Sequence, residues 1–190
     1  MPLEIELKFS ITDADHILAQ LAPLGLTDEG SIDQVDIYYN HPGRDFATTD
    51  EALRIRRTGQ SSFLTYKGPL LDPLTKSRRE YEAHLAEGQP TFDTMAAILS
   101  NLGFTAVREV AKTRHRYTFT WEGRPFELCL DDVKGLGRYI ELETVSDDES
   151  HAAQSSTRES LLRLAQTLGL SSSERRSYLR LLIEKESISA

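Results

Sequence analysis

Residues 3–9, Leu3-Glu4-Ile5-Glu6-Leu7-Lys8-Phe9, alternate apolar side chains with charged ones at every step. A strand advances about 3.3 Å per residue and reverses side-chain direction each time, so Glu4, Glu6 and Lys8 share one face at roughly 6.6 Å intervals. Half-buried strands often carry mixed charges on a solvated face, so this strand alone decides little. The same pattern recurs down the chain. Arg54 and Arg56 alternate with Leu53 and Ile55, Thr65 and Lys67 flank Tyr66, and Arg78, Glu80 and Glu82 alternate through 78–82. Lys112, Arg114 and Arg116 occupy one parity of a later segment, Glu127 and Asp131 share a face of the next, and Glu141 and Glu143 stand opposite Ile140 and Leu142. An ordinary sheet has little reason to present ionisable groups on one face in strand after strand. A sheet closed around a polar interior supplies a reason.

The alternating segments predict eight strands, at 2–10, 28–40, 51–59, 62–69, 76–85, 105–121, 124–134 and 138–145. Short punctuated connections such as Thr58-Gly59-Gln60-Ser61 and Trp121-Glu122-Gly123-Arg124 predict hairpins, and hence antiparallel pairing. Helices are expected from a cap at Thr12 or Asp13 through Leu21, from Thr91 or Asp93 through Leu102, over 147–168 with Ser146, Asp147 and Asp148 at its start, and over 173–185. The fold class that follows is α+β: an eight-stranded antiparallel closed β-barrel, polar inside, its outward aliphatic face covered by helices packed outside.

Length and composition narrow the function. At 190 residues with no linker-like tract, the chain is expected to form a single domain over 1–190. No apolar run approaches the ~20 residues of a membrane-spanning helix, and the first strand leaves no room for a signal peptide, so the expected residence is cytoplasmic. One cysteine, Cys129, excludes an internal disulfide and a cysteine-rich zinc site, and its strand position makes it an inert wall residue. His41 and His115 lack companions at metal-ligand spacing. A net charge of −8 argues against nonspecific nucleic-acid binding and for anion capture within a local concavity. Carboxylates take divalent cations and ammonium groups take phosphate oxygens, so the charged faces can together supply a metal–phosphate site.

These residues resemble the CYTH domains of the triphosphate tunnel metalloenzymes, whose N-terminal Glu-x-Glu-x-Lys motif matches Glu4, Glu6 and Lys8. The likeness continues through Asp36-Ile37-Tyr38-Tyr39, 52–56, Tyr66-Lys67-Gly68-Pro69, Arg78 with Glu80, Lys112-Thr113-Arg114, Leu130-Asp131, Gly135-Leu136-Gly137 and Glu141-Leu142-Glu143. Residues 40–54 and 176–182 are similar to the CyaB-type, class IV adenylyl cyclase branch. The resemblance implies a tunnel that binds a triphosphate along its axis. Glu4, Glu6 and Glu141 would hold Mg²⁺ or Mn²⁺, with Glu80, Asp131 and Glu143 as additional carboxylates. Lys8, Arg54, Arg56, Lys67, Lys112 and Arg114 would grip phosphate oxygens, and Arg78 would join them or pair with Glu80. Glu4, Glu6, Lys8, Lys67 and Glu141 would form the catalytic set.

The resemblance implies ATP or another triphosphate as ligand, and a homodimer is compatible with it. The expected activity is conversion of ATP to cyclic AMP and pyrophosphate. The alternatives are hydrolysis of inorganic triphosphate, thiamine triphosphate or a nucleotide, and a non-catalytic polyphosphate- or nucleotide-binding module. Asp36, Tyr38 and Tyr39 are expected to be structural.

Overall fold

The alternation that dominates the sequence becomes an eight-stranded, wholly antiparallel sheet, seen in a computed structural model that describes residues 3–71, 78–146 and 150–189. In chain order the elements are β1 (Leu3–Ser10), α1 (Ala14–Leu21), β2 (Thr27–Asn40), α2 (Phe46–Thr49), β3 (Ala52–Thr58), β4 (Ser61–Lys67), β5 (Glu80–Leu85), α3 (Gln89–Asn101), β6 (Thr105–Trp121), β7 (Arg124–Val133), β8 (Gly137–Ser146), α4 (His151–Thr167) and α5 (Tyr178–Ser189). Spatially the strands run β1-β8-β7-β6-β2-β3-β4-β5. The β6–β7 hairpin turns through Glu122 and Gly123, both at positive φ, as a tight two-residue turn requires.

The sheet curls until its edges meet. Among the described residues, the seam between β5 and β1 is one isolated bridge, Glu4 to Arg78, rather than a continuing ladder. Residues 76–77 of the expected fifth strand lie outside the described residues. Antiparallel partners put their side chains on the same face, so the register carries one parity around the whole curl. Glu6 faces Glu143, Lys8 faces Glu141, Arg114 faces Asp131, Asp36 faces Arg56 and Lys67 faces Glu80. All lie on the concave side.

The opposite parity is apolar and packs against helices. Leu161, Leu164 and Ala165 of α4 and its C-cap Leu168 meet Ile5, Leu7, Ile140 and Leu142, with Ile17 and Leu21 of α1 in the same core. Phe92 and Leu99 of α3 cover Leu53 and Ile55. Each such fully buried aliphatic side chain contributes about 1.5–3 kcal/mol. Helix α1 begins at the expected cap, Asp13, which accepts from the His16 N–H at 3.0 Å. Helix α3 begins earlier than expected because Pro90 fits the first helical turn, where a missing N–H goes unneeded. Helix α4 starts at Ser150, whose hydroxyl accepts from the Ala153 N–H, while 147–149 lie outside the described residues.

The last helix departs most from expectation. It starts at Tyr178 rather than near 173, because the chain before it is tied across the end of the curl: the Glu174 N–H donates to the Lys8 carbonyl at 2.6 Å. Tyr178, Leu181 and Leu182 then pack on Tyr38, Val110, Val133 and Tyr139. Those four residues belong to the concave parity, so α5 stoppers one end of the interior while α1, α3 and α4 cover the outside.

Candidate functional site

Inside the curl lies a cavity of about 140 Å³ lined by Glu4, Glu6, Lys8, Asp36, Arg54, Arg56, Lys67, Arg78, Glu80, Lys112, Arg114, Glu141 and Glu143, with Tyr178 of α5. Every charged residue expected at the site except Asp131 lines this cavity, and Asp131 lies just beneath its wall. The charges divide into two arrangements.

On the β2–β3 and β6–β7 walls, carboxylates are matched to cations. Asp131 is buried and accepts from Arg114 Nε and Nη2 and from Lys112 Nζ, each at 2.7 Å, and from Tyr178 Oη at 2.9 Å. Burial opposes its ionisation, but Arg114 and Lys112 outweigh burial and hold the carboxyl below the usual range. Asp36 accepts from Arg56 Nε and Nη2 at 2.7 and 2.8 Å and from Arg54 Nη1 at 3.4 Å. Burial is again overcome, by Arg54 and then Arg56, and the Asp36 carboxyl falls well below its ordinary value.

On the β1–β8 wall, carboxylates crowd one another. One carboxylate oxygen from each of Glu4, Glu6 and Glu143 lies within 4.8 Å of the other two. Burial raises the Glu143 carboxyl well above its ordinary value of 4.5; Arg114 opposes the shift, and Glu4, Glu141 and Glu6 reinforce it. Glu4 is also raised, chiefly by burial, with Lys67 opposing. Its neighbour Glu80 moves the other way, to about 2: burial is outweighed by its hydrogen bond with Glu4 and by Lys67 and Arg54. Three carboxylate oxygens at this spacing suit one hard divalent cation such as Mg²⁺ or Mn²⁺.

The geometry sets three of the expected carboxylates in different company. Glu143, expected as an additional carboxylate, is the third member of the acidic group because the register sets it opposite Glu6. Glu141, expected there with Glu4 and Glu6, instead stands opposite Lys8 and pairs with Arg114. Asp131, also expected at a metal, is occupied by four hydrogen bonds and serves as a counter-ion. Glu80 pairs with Lys67, and Lys67 also reaches Glu4 at 3.4 Å. Arg78 sits at the seam beside Glu4.

The sequence did not reveal Tyr178. Its ring lies 4.1 Å from Lys8 Nζ and 5.2 Å from Lys112 Nζ, while its hydroxyl binds Asp131. Lys8 Nζ also donates to the Arg176 carbonyl at 2.6 Å. Asp36, expected to be structural, is the central carboxylate of the arginine wall. Cys129 is buried and donates to Glu127 at 3.0 Å, its thiol pushed up by burial, as suits a wall residue. His115 is engaged by Ser31 and Asp28 away from the cavity.

A family model for the CYTH domain matches residues 2–178. The chain belongs to the CYTH family. A provisionally named adenylate cyclase of Methanocaldococcus jannaschii is 35% identical over 181 residues, covering 94% of this chain and 98% of that protein. The adenylate cyclase CyaB of Aeromonas hydrophila is 31% identical over 181 residues, covering 92% and 86%. Among solved structures, a Pyrococcus horikoshii protein superposes with a TM-score of 0.82 at 39% identity, covering 96% of this chain and 99% of its own. The CYTH assignment agrees with the curled eight-stranded sheet and its charged interior. No helix among the described residues is long and apolar enough to cross a membrane.

Proposed function

We propose that this chain, acting as one CYTH unit, is a divalent-cation-dependent enzyme that takes a triphosphate into the cavity and converts ATP to cyclic AMP and pyrophosphate. The observation that carries this reading is where the acidic group lies along the tunnel. Helix α5 closes the end marked by Tyr139 and Lys8, so a nucleoside has to occupy the other end. Glu143 lies two inward-facing positions beyond Tyr139, and Glu4 two beyond Lys8, roughly 13 Å along each strand toward the open mouth. A triphosphate entering from that end would bring the phosphorus nearest the nucleoside beside the carboxylates.

Glu4, Glu6 and Glu143 would hold Mg²⁺ or Mn²⁺, which supplies Lewis acidity at the α-phosphate and acidifies the ribose 3′-hydroxyl. Arg54, Arg56, Lys67, Lys112 and Arg114 bind phosphate oxygens, exchanging their present carboxylate partners for a ligand of higher charge. Lys8, fixed by the Tyr178 ring and the Arg176 carbonyl, receives the far phosphate at the stoppered end. The 3′-oxygen bonds to the α-phosphorus, the bond to the bridging oxygen breaks, the hydroxyl proton passes to solvent, and pyrophosphate departs on the basic wall. Charge stabilisation and positioning perform this chemistry.

Hydrolysis of a triphosphate is the second reading, favoured by Glu6, which lies one inward position deeper than Glu4, nearer the far phosphate. Product analysis with Mg²⁺ or Mn²⁺, comparing ATP with inorganic triphosphate, tests both. Cyclic AMP with matching pyrophosphate is expected; orthophosphate released faster from inorganic triphosphate would replace the cyclase reading with the hydrolase.

A further inference from the structure

A second cavity, of about 360 Å³, lies outside the curl, between β1 and the C-terminal end of α4. Leu7 and Phe9 form its base, projecting from the face of β1 opposite to Glu6 and Lys8, and Leu162 and Ala165 of α4 form one side. Leu7, Phe9 and Ala165 are buried, whereas Leu162 is exposed. The roof is the loop that follows α4. It leaves the helix at Gly169 and turns again at Ser172, both with left-handed backbone, at φ 67° and 62°. Both ends of this loop are tied down: the Leu170 N–H donates to the Ala165 carbonyl at 2.9 Å, and the Glu174 N–H donates to the Lys8 carbonyl at 2.6 Å. The loop therefore arches over the space between two anchors, and the cavity is preformed.

The chemistry of this lining is the reverse of the tunnel's. Charged residues make up 27% of the chain, yet among the described residues none that lines this cavity carries a charge. Its polar side chains are Gln166, Ser171, Ser172 and Ser173, all neutral and all exposed at the rim. An apolar base beneath a neutral hydrogen-bonding rim suits a molecule with an apolar body and an uncharged polar head. A carboxylate or ammonium head would meet no counter-ion in the lining and would give up hydration without replacement. The volume lies within the range of about 300–1,000 Å³ typical of small-molecule sites.

We propose that this cavity binds a small neutral amphiphile, with its apolar body against Leu7, Phe9 and Leu162 and its hydroxyl or amide head among Gln166 and the three serines. The site is separate from the tunnel and does not depend on the triphosphate reading.

The test is calorimetric titration at pH 7 of the wild type with 1-octanol, 1-hexanol, octanoate and octylammonium, and of Leu162→Trp with 1-octanol, alongside thermal unfolding. The wild type should bind 1-octanol saturably at one site. Shortening the chain to 1-hexanol should weaken binding about fifteenfold, at roughly fourfold per methylene. Octanoate and octylammonium should bind about tenfold or more weakly than 1-octanol, because their heads lack a counter-ion. Leu162→Trp, at an exposed position where the larger ring extends into the cavity, should abolish 1-octanol binding and keep the wild-type Tm. No saturable binding of 1-octanol by the wild type, binding that ignores chain length, a charged head bound as tightly as the neutral one, or undiminished binding by Leu162→Trp would each overturn the proposal. The wild-type series needs no variant, so it decides the question even if Leu162→Trp unfolds early.

Discussion

Two carboxylates on one concave face, Asp131 and Glu143, meet opposite fates. Asp131 is buried and Glu143 half-buried, and Arg114 approaches both, at 2.7 Å from Asp131 and 3.6 Å from Glu143. Asp131 receives a second cation and a phenol, and its charge is satisfied within the protein. Glu143 has two neighbouring glutamates instead, and burial, reinforced by them, raises its carboxyl. A buried ion stays charged where its partners outweigh desolvation, and seeks a proton or a cation where they do not. In the free protein one wall neutralises itself; the other leaves crowded carboxylates that a cation would relieve.

Breaking the matched wall should have the largest effect. Asp131→Asn leaves Arg114 and Lys112 without their shared carboxylate and should cost about 3–5 kcal/mol, the scale for removing one partner of a buried ion group. Denaturant unfolding measures it, and a loss under about 1 kcal/mol would mean that Asp131 is no anchor. Glu143→Gln inverts the comparison: turnover should fall about a hundredfold or more, the scale of losing one preorganised electrostatic contact, while the metal-free protein keeps or gains stability. Wild-type turnover in that variant would remove Glu143 from the acidic group.

A smaller effect is expected at the stopper. Tyr178→Phe keeps the ring over Lys8 but loses the hydrogen bond to Asp131, costing about 1.5–3 kcal/mol. An unchanged unfolding midpoint would show that the bond contributes nothing.

The least conspicuous effect, and the sharpest on the comparison, is on pH dependence. Asp36 and Asp131 have lowered values, so their stabilisation is full above the ordinary aspartate value of 3.8 and is lost as pH falls through the folded values. Glu4 and Glu143 have raised values, so the stability they lend is present below 4.5 and is lost as pH climbs through the folded values. Metal-free protein should therefore lose Tm as pH rises above the glutamate range. Mg²⁺ should cancel that loss and release protons on binding. Melting curves from pH 4 to 9 with and without Mg²⁺ report both slopes; a metal-free Tm that stays flat or rises over that climb would sink the crowding argument.

The sequence was legible where structure depends on neighbours along the chain. Alternation depends on a period of two, so all eight strands and the polarity of each face could be read directly, and the ionisable residues of the cavity with them. Asp13 could be read as a cap because the N–H it serves is three residues away. Glu141 and Glu143 could not be ranked from sequence because both have the same parity, and only the β1–β8 register says which one stands opposite Glu6. The partners of Asp131, namely Lys112, Arg114 and Tyr178, could not be read from sequence because they come from a different strand and a helix 47 residues away. Residues 176–182 carried a family likeness, but nothing local showed that Tyr178 enters the site, because α5 turns back into the interior. Sequence by itself determined what each strand shows to each side, since that is set by covalent geometry one residue at a time. Only the tertiary structure decided which charges neutralise each other and which are left to a ligand, because electrostatic energy and desolvation depend on distances in space that register and curvature alone establish.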